Sequence, residues 1–180
     1  KDTDTGEHIA RMSRYSKVLA LAYGMTEFQA EQLRQAAPMH DVGKIGIPDA
    51  VLLKPGRLDE NEFEHMKQHA TIGAKILENS SSPLLQLAHK LALEHHEKWD
   101  GSGYPYGLKG EEISIEGRIV SIADVFDALT STRPYKKAWT VDQAVELLKS
   151  ESGKHFDPQL VDLFIGQLDA IIEIKNTFTR

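Results

Sequence analysis

The chain has 180 residues, 41% of them hydrophobic and 27% charged, with no cysteine and a formal net charge of −6. That length suits one domain with a self-sufficient core, and the lack of Cys excludes disulfides and thiolate ligands, so any metal must sit on His and carboxylates. The acidic balance argues against broad binding to duplex nucleic acid, and no apolar run approaches the ~18 residues that cross a membrane.

A small phosphate ligand stays open, because bound metal ions supply positive charge that the tally omits. The expected setting is the cytoplasm. The chain starts on Lys1 rather than Met, and residues 1–180 are read as one domain excised from a longer regulatory protein.

The fold expected is all-α, a single bundle of about seven helices with a site in its core. Apolar residues at helical spacing (Ile9, Met12, Val18, Leu19, Ala22) predict a first helix over Glu7 to Ala22, stopped by Gly24. Thr26-Glu27-Phe28-Gln29 is a capping box opening a second helix to His40 or Asp41, with Pro38 kinking or tightening its last turn. Gly43, Gly46, Pro48, Pro55 and Gly56 predict turns with at most one short helix up to Arg57.

Asp59 with Glu62 starts a third helix to Leu77, and Ser82 followed by Pro83 starts a fourth to His96. A Gly-rich loop, Asp100 to Gly110, comes next. Ser114 caps a fifth helix to Thr130, with Ile115, Ile119, Ile122, Phe126 and Leu129 on one stripe. Thr140 with Gln143 caps a sixth to Lys149, and Pro158 opens a last helix to Ile174.

Eight histidines are many for this length, and their neighbours matter more than their number. His40-Asp41 closes the second helix and His95-His96 closes the fourth, each beside a Gly-rich loop. His8 lies on the first helix, His69 on the third and Asp124 on the fifth, so five helices each offer a metal ligand, as helical bundles build metal sites. Imidazole and carboxylate without thiolate suit Fe, Mn or Ni, with Zn or Mg as alternatives.

Adjacent helical residues point about 100° apart, so a His-Asp doublet cannot face one point in mid-helix but can address two metals side by side, with a bidentate or bridging Asp between them. Two metals roughly 3.5–4 Å apart would clamp the attacking and leaving oxygens of a phosphodiester. A lone His on a helix is more often a surface or core residue, and His65, His89 and His155 are read that way. His65 and His69 share a helical face, and spacing alone does not choose between them.

The stretch His40-Asp41-Val42-Gly43-Lys44-Ile45-Gly46-Ile47-Pro48 resembles the HD signature of metal-dependent phosphohydrolases. The run His95-His96-Glu97-Lys98-Trp99-Asp100-Gly101-Ser102-Gly103-Tyr104-Pro105 resembles the second signature of the HD-GYP family. HD alone is a two-letter signal, whereas the extended second run is specific. Thr5-Gly6-Glu7-His8, His69-Ala70-Thr71-Ile72-Gly73, Ala123 to Thr130, Arg133-Pro134-Tyr135-Lys136 and His155-Phe156-Asp157-Pro158 carry the resemblance over most of the chain.

The resemblance implies a phosphodiesterase that hydrolyses a cyclic dinucleotide, cyclic di-GMP first, to the linear dinucleotide and on to mononucleotides, with two or three divalent ions. One ion would take Asp41, His69, His95 and His96, and a second His8, His40, Asp124 and the bridging Asp41. It selects His69 over His65, because His69 precedes Gly73 by four positions as in the family. The departure is Asp4, where trimetal members carry Glu; the acid is one methylene shorter, roughly 1.5 Å of reach. A third ion therefore depends on Asp4, which otherwise is a solvated first-turn acid.

His40 and Asp41 would form the catalytic doublet, a metal-bridging hydroxide serving as nucleophile, with Lys44 placed to hold a phosphate oxygen. Arg133 and Lys136 match the family's phosphate-gripping pair, and Tyr104 would shape a wall for a base or ribose. Asp127, one turn after Asp124, and Glu97 are placed to orient a ligand from behind. The family also implies that the GYP loop meets partner domains of the GGDEF type, and a homodimer is a further expectation. Alternatives are a preference for the mixed cyclic GMP-AMP dinucleotide and a catalytically weak sensing or partner-binding module. A nucleotide or alarmone hydrolase of the wider HD group is disfavoured by the GYP loop.

Overall fold

The computed structural model describes residues 6–133 and 136–180. Among them are nine α-helices: α1 (Gly6–Tyr23), α2 (Glu27–Ala36), α3 (Asp49–Leu52), α4 (Glu60–Leu77), α5 (Pro83–Glu94), α6 (Ile115–Thr130), α7 (Val141–Ser150), α8 (Pro158–Gly166) and α9 (Leu168–Thr177). The described residues contain no strand, only isolated bridges such as Asp100 with Lys109 and Arg133 with Lys136. The all-helical bundle expected from the periodicity is what the chain adopts, and no described helix is long and apolar enough to cross a membrane.

Helix starts follow local chemistry. Thr26, Asp59 and Thr140 each accept from the backbone three residues on and are bonded back by Gln29, Glu62 and Gln143. Ser82 and Ser114 cap α5 and α6. Helix ends depart more from expectation. Pro38 has no N–H to continue the α ladder, so α2 stops at Ala36 and a 3₁₀ turn, Ala37–Met39, carries the chain to His40. A second 3₁₀ turn, Val42–Gly46, follows Asp41, and α3 is the one short helix of the Gly/Pro segment.

The last predicted helix is two. After Gly166, a weak helix former, Gln167 takes φ −111° and ψ 18° and divides α8 from α9. This break and α3 turn about seven helices into nine.

The core lies along α1 and α6, which pack on each other and against α2, α5, α8 and α9. Ile119, Ile122 and Phe126 of the α6 stripe are fully buried, beside Met12, Tyr15 and Leu19 of α1, Leu33, Leu91 and Phe164. The buried face of α1 is displaced from the predicted apolar set: Ile9 is 37% exposed, while His8 and Arg11 are buried. Polar residues occupy that face because it looks into the site.

Candidate metal centre

The His40-Asp41 doublet lies beyond α2, where helical geometry has lapsed: Asp41 has φ −103° and ψ 14°. What presses this turn onto α4 is an absence of side chains. A Cβ on Gly43 would fall on the His69 carbonyl and the Gly73 amide, and Gly73 in turn faces the Gly43 backbone. The two glycines let the doublet and His69 share one space. His95 and His96 also sit beyond their helix, His95 at the C-cap of α5. Their rings lie 4.1 Å apart between centroids and 47° to each other.

The ring nitrogens are sorted. His40 Nδ1 is 2.6 Å from the Ala37 carbonyl, His69 Nδ1 is 2.6 Å from that of Met66, and His95 Nδ1 is 2.8 Å from that of Leu91. A carbonyl only accepts, so each Nδ1 carries a proton and each ring turns its Nε2 inward. Those atoms meet the carboxylate of Asp41. Oδ1 is 3.3 Å from His69 Nε2 and 3.2 Å from His95 Nε2, whereas Oδ2 is 3.0 Å from His40 Nε2 and 3.1 Å from Lys44 Nζ.

Asp124 Oδ1 continues the second group, 3.3 Å from His8 Nε2 and 3.5 Å from His40 Nε2. Ligand atoms of Asp41, His69, His95 and His96 all lie within 4.8 Å of one another.

These contacts fit a cation better than hydrogen bonds. His69 Nε2 and His95 Nε2 are 3.4 Å apart with both protons committed elsewhere, so two lone pairs face each other. His40 Nε2 is buried and makes no hydrogen bond. Metal–ligand bonds of about 2.1 Å put neighbouring ligand atoms about 3.0 Å apart in an octahedron and 3.4 Å in a tetrahedron. The observed 3.0–3.5 Å spacings match those edges.

Electrostatics agree. Burial lowers the pKa of His95 and, with the neighbouring His95 and His69 rings, that of His96, which keeps both neutral. Burial opposes protonation of His40, yet the Asp41 and Asp124 charges prevail and raise its pKa. Both carboxylates, despite burial, are held well below the usual range, His40 being the chief cause for each. The cluster thus calls for positive charge at its centre.

Behind His8 stands a buried support. Asp127, fully buried, sets Oδ2 2.6 Å from His8 Nδ1 and accepts at Oδ1 from Arg11 Nε at 2.6 Å. Arg11 also donates to Ser131 Oγ, the Phe178 carbonyl and Thr179 Oγ1, at 3.0, 3.0 and 3.2 Å. Sequence reasoning missed Arg11; its position three residues after His8, on one helical face, was the available signal.

Glu97 behaves differently from the orienting role expected of it. Its buried carboxylate accepts from the backbone of Tyr106 and Leu108 at 3.2 and 3.1 Å and so holds the loop rather than a histidine. Gly103 closes that loop on residues 96–98, where a Cβ would strike the His96 carbonyl and the Lys98 amide. Tyr104 is thereby stacked on His96, 4.9 Å between centroids and 21° from parallel.

Arg133 and Lys136 are joined through their backbones at 2.9 and 3.1 Å, and Lys136 Nζ lies 5.1 Å over the Trp139 ring. Pro134, Tyr135 and Asp4 lie outside the described residues, so the third-ion ligand is not among the groups placed here. His65 is exposed, His89 Nδ1 faces the Ala74 carbonyl at 2.8 Å, and His155 stacks on Phe156 at 4.1 Å.

A family model described as HD domain matches residues 2–160. A cyclic di-GMP phosphodiesterase of Thermotoga maritima is 51% identical over 165 residues, covering 92% of this chain and 45% of that protein. A 3′3′-cGAMP-specific phosphodiesterase 2 of Vibrio cholerae is 47% identical over 175 residues, covering 97% of this chain and 34% of that protein. The chain thus spans about a third to a half of the length of these curated relatives. Among solved structures, Bd1817, an HDG“Y”P protein from Bdellovibrio bacteriovorus, aligns with TM-score 0.71 at 20% identity, over 90% of this chain and 51% of that one. With its His-Asp doublet and the run from His95 to Pro105, the chain belongs to the HD domain family, in the HD-GYP branch.

Proposed function

We propose that the chain is a metal-dependent phosphodiesterase that hydrolyses a cyclic dinucleotide, cyclic di-GMP first, to the linear product and on to mononucleotides. The observation that carries this reading is the Asp41 carboxylate, whose two oxygens face two separate histidine groups. Relatives at 47–51% identity bear phosphodiesterase names for such substrates.

His69, His95, His96 and Asp41 would hold one divalent ion, and His8, His40, Asp124 and Asp41 a second. Fe, Mn or Ni suit this hard-to-borderline set, with Zn or Mg as alternatives. Bound ions would supply Lewis acidity, to acidify a water and to take up charge on the phosphodiester oxygens.

The chain's own side chains do the rest. Lys44, now 3.1 Å from Asp41 Oδ2, turns to a non-bridging phosphate oxygen, and Arg133 with Lys136 grips the substrate from the turn after α6. Tyr104 walls the site on the α4 side. Asp127 fixes the tautomer of His8. The exposed tip of the loop, where Tyr106 is 65% exposed, is the surface offered to a GGDEF-type or other regulatory domain.

Replacing both His40 and Asp41 by Ala abolishes hydrolysis and depletes bound metal while helical circular dichroism survives. Retained turnover would overturn the mechanism. A mixed cyclic GMP-AMP preference is the second reading, favoured by the Vibrio cholerae relative, and product analysis with both substrates decides between them.

A further inference from the structure

On the outer edge of α4, beside the histidine cluster, stands a second group of side chains. Phe63 is 46% exposed there. It meets Tyr104 edge-on at 6.2 Å between centroids, and Tyr104 is the ring stacked on His96. Lys67, one turn after Phe63, holds Nζ 5.1 Å from the Phe63 ring centre and 5.7 Å from that of Tyr104. Its ion-pair partner is Glu64 at 2.7 Å, a mostly exposed carboxylate. Such a pair is weak in water and exchanges readily for another acceptor.

We propose that Phe63, Lys67 and Tyr104 form a nucleobase subsite that favours guanine over adenine. It rests on the cyclic-dinucleotide reading above. Aromatic faces stack any base, since every base has a π-face. Lys67 adds the discrimination: guanine presents two acceptors, O6 and N7, on one edge, where adenine presents an acceptor and an amino donor. An ammonium group, which only donates, meets both guanine atoms and is repelled by the adenine amino group. The rings continue directly from His96, so a base on them belongs to the nucleotide whose phosphate lies over the cluster. A mixed dinucleotide has one guanine and enters in one of its two orientations.

The test is steady-state hydrolysis of cyclic di-GMP, the mixed dinucleotide and cyclic di-AMP by the metal-loaded chain. Wild type is measured before any variant; turnover of none of the three overturns the phosphodiesterase reading and the subsite with it. Given turnover, Phe63→Ala raises KM for cyclic di-GMP on the order of tenfold, kcat changes by less than about twofold, and Phe63→Trp restores KM. Lys67→Met narrows the kcat/KM ratio of cyclic di-GMP to cyclic di-AMP about tenfold. Phe28→Ala, at an exposed aromatic on α2, controls for loss of any surface ring and leaves KM in place. A Phe63→Ala KM within about twofold of wild type overturns the subsite. An unchanged base preference in Lys67→Met overturns the guanine selection.

Discussion

Arg11 is the side chain whose loss separates holding the fold together from holding the metal. Its guanidinium is 5% exposed and gives Asp127 three contacts' worth of constraint: Nε at 2.6 Å, Nη2 at 3.2 Å, and Nη2 again through Ser131 Oγ. Arg11→Met keeps the stem volume and removes the charge, leaving a fully buried carboxylate with His8 and Ser131 as its remaining partners. Breaking one side of such a pair costs about 3–5 kcal/mol. In a chain of this length each kcal/mol moves the melting temperature by about 2–4 °C, so Tm falls by roughly 6–20 °C. Metal affinity falls by about 10–100-fold, the usual cost of losing support behind a ligand.

The double variant Arg11→Met/Asp127→Leu removes both buried charges. Replacing a whole buried pair by apolar groups is often neutral, so most of the lost Tm returns. The anchor on His8 Nδ1 does not return, and metal affinity stays low. Thermal denaturation of the metal-free protein and chelator-competition titration read the two effects separately. Recovery of both in the double variant would refute a positioning role for Asp127, and a Tm unchanged in Arg11→Met would refute the buried pair.

Glu97→Gln weakens the charge-assisted bonds to the Tyr106 and Leu108 amides; KM rises several-fold, and limited proteolysis cuts the loop between Gly103 and Gly110 sooner than in wild type. His155, whose pKa burial and then Lys98 push down to about 4, stays neutral in the fold while the unfolded ring titrates near 6.5. Its contribution is therefore complete above about pH 6.5 and lost as pH falls towards 4, about 1–2 kcal/mol after allowance for partial exposure. His155→Gln flattens the pH dependence of Tm over that window, and parallel Tm curves for variant and wild type would dismiss it. Removing divalent ions with a chelator lowers Tm, and restoring them at 100 times their dissociation constant returns about 2.7 kcal/mol; a melting curve indifferent to chelator counts against ion binding at the cluster.

Which helices exist could be read from the chain because their starts are local. A cap needs one side chain and an amide three residues on, and Thr26, Asp59 and Thr140 with Gln29, Glu62 and Gln143 make those bonds whatever lies elsewhere. Ends are decided by the rest of the molecule or by a single backbone defect. Pro38 was visible as a defect, but not that it would tighten to a 3₁₀ turn instead of bending an α-helix. The α8–α9 break at Gln167 follows a glycine that tolerates a helix as easily as it interrupts one. On α1 the apolar count chose the wrong edge: a helix beside a polar site buries His8 and Arg11 and leaves Ile9 out.

For the site, which residues meet was legible, with Asp127 behind His8, and the rest of the support was not. The doublets mark which residues can meet, because two adjacent ligand types at a helix end have few other uses. Which ring nitrogen faces inward depends on carbonyls three or four residues back and on the rotamer that reaches them, which packing sets. Asp127 and Arg11 are separated by 116 residues, so no spacing rule joins them. Glu97 was assigned by adjacency to His96, yet a buried acid takes the nearest unsatisfied donors, here loop amides.

The glycines connect the two levels. Gly43 reads in the sequence as a turn former, and its turn would tolerate a larger residue. The constraint comes from across the bundle, where His69 and Gly73 present bare backbone at contact distance. Gly43→Ala must therefore push the His40-Asp41 turn off α4, opening the spacing between Asp41 Oδ1 and His69 Nε2 that now stands at 3.3 Å. Ligand atoms on two elements stay within one coordination sphere only while those backbones touch, so the metal centre is set as much by two missing side chains as by the histidines around it.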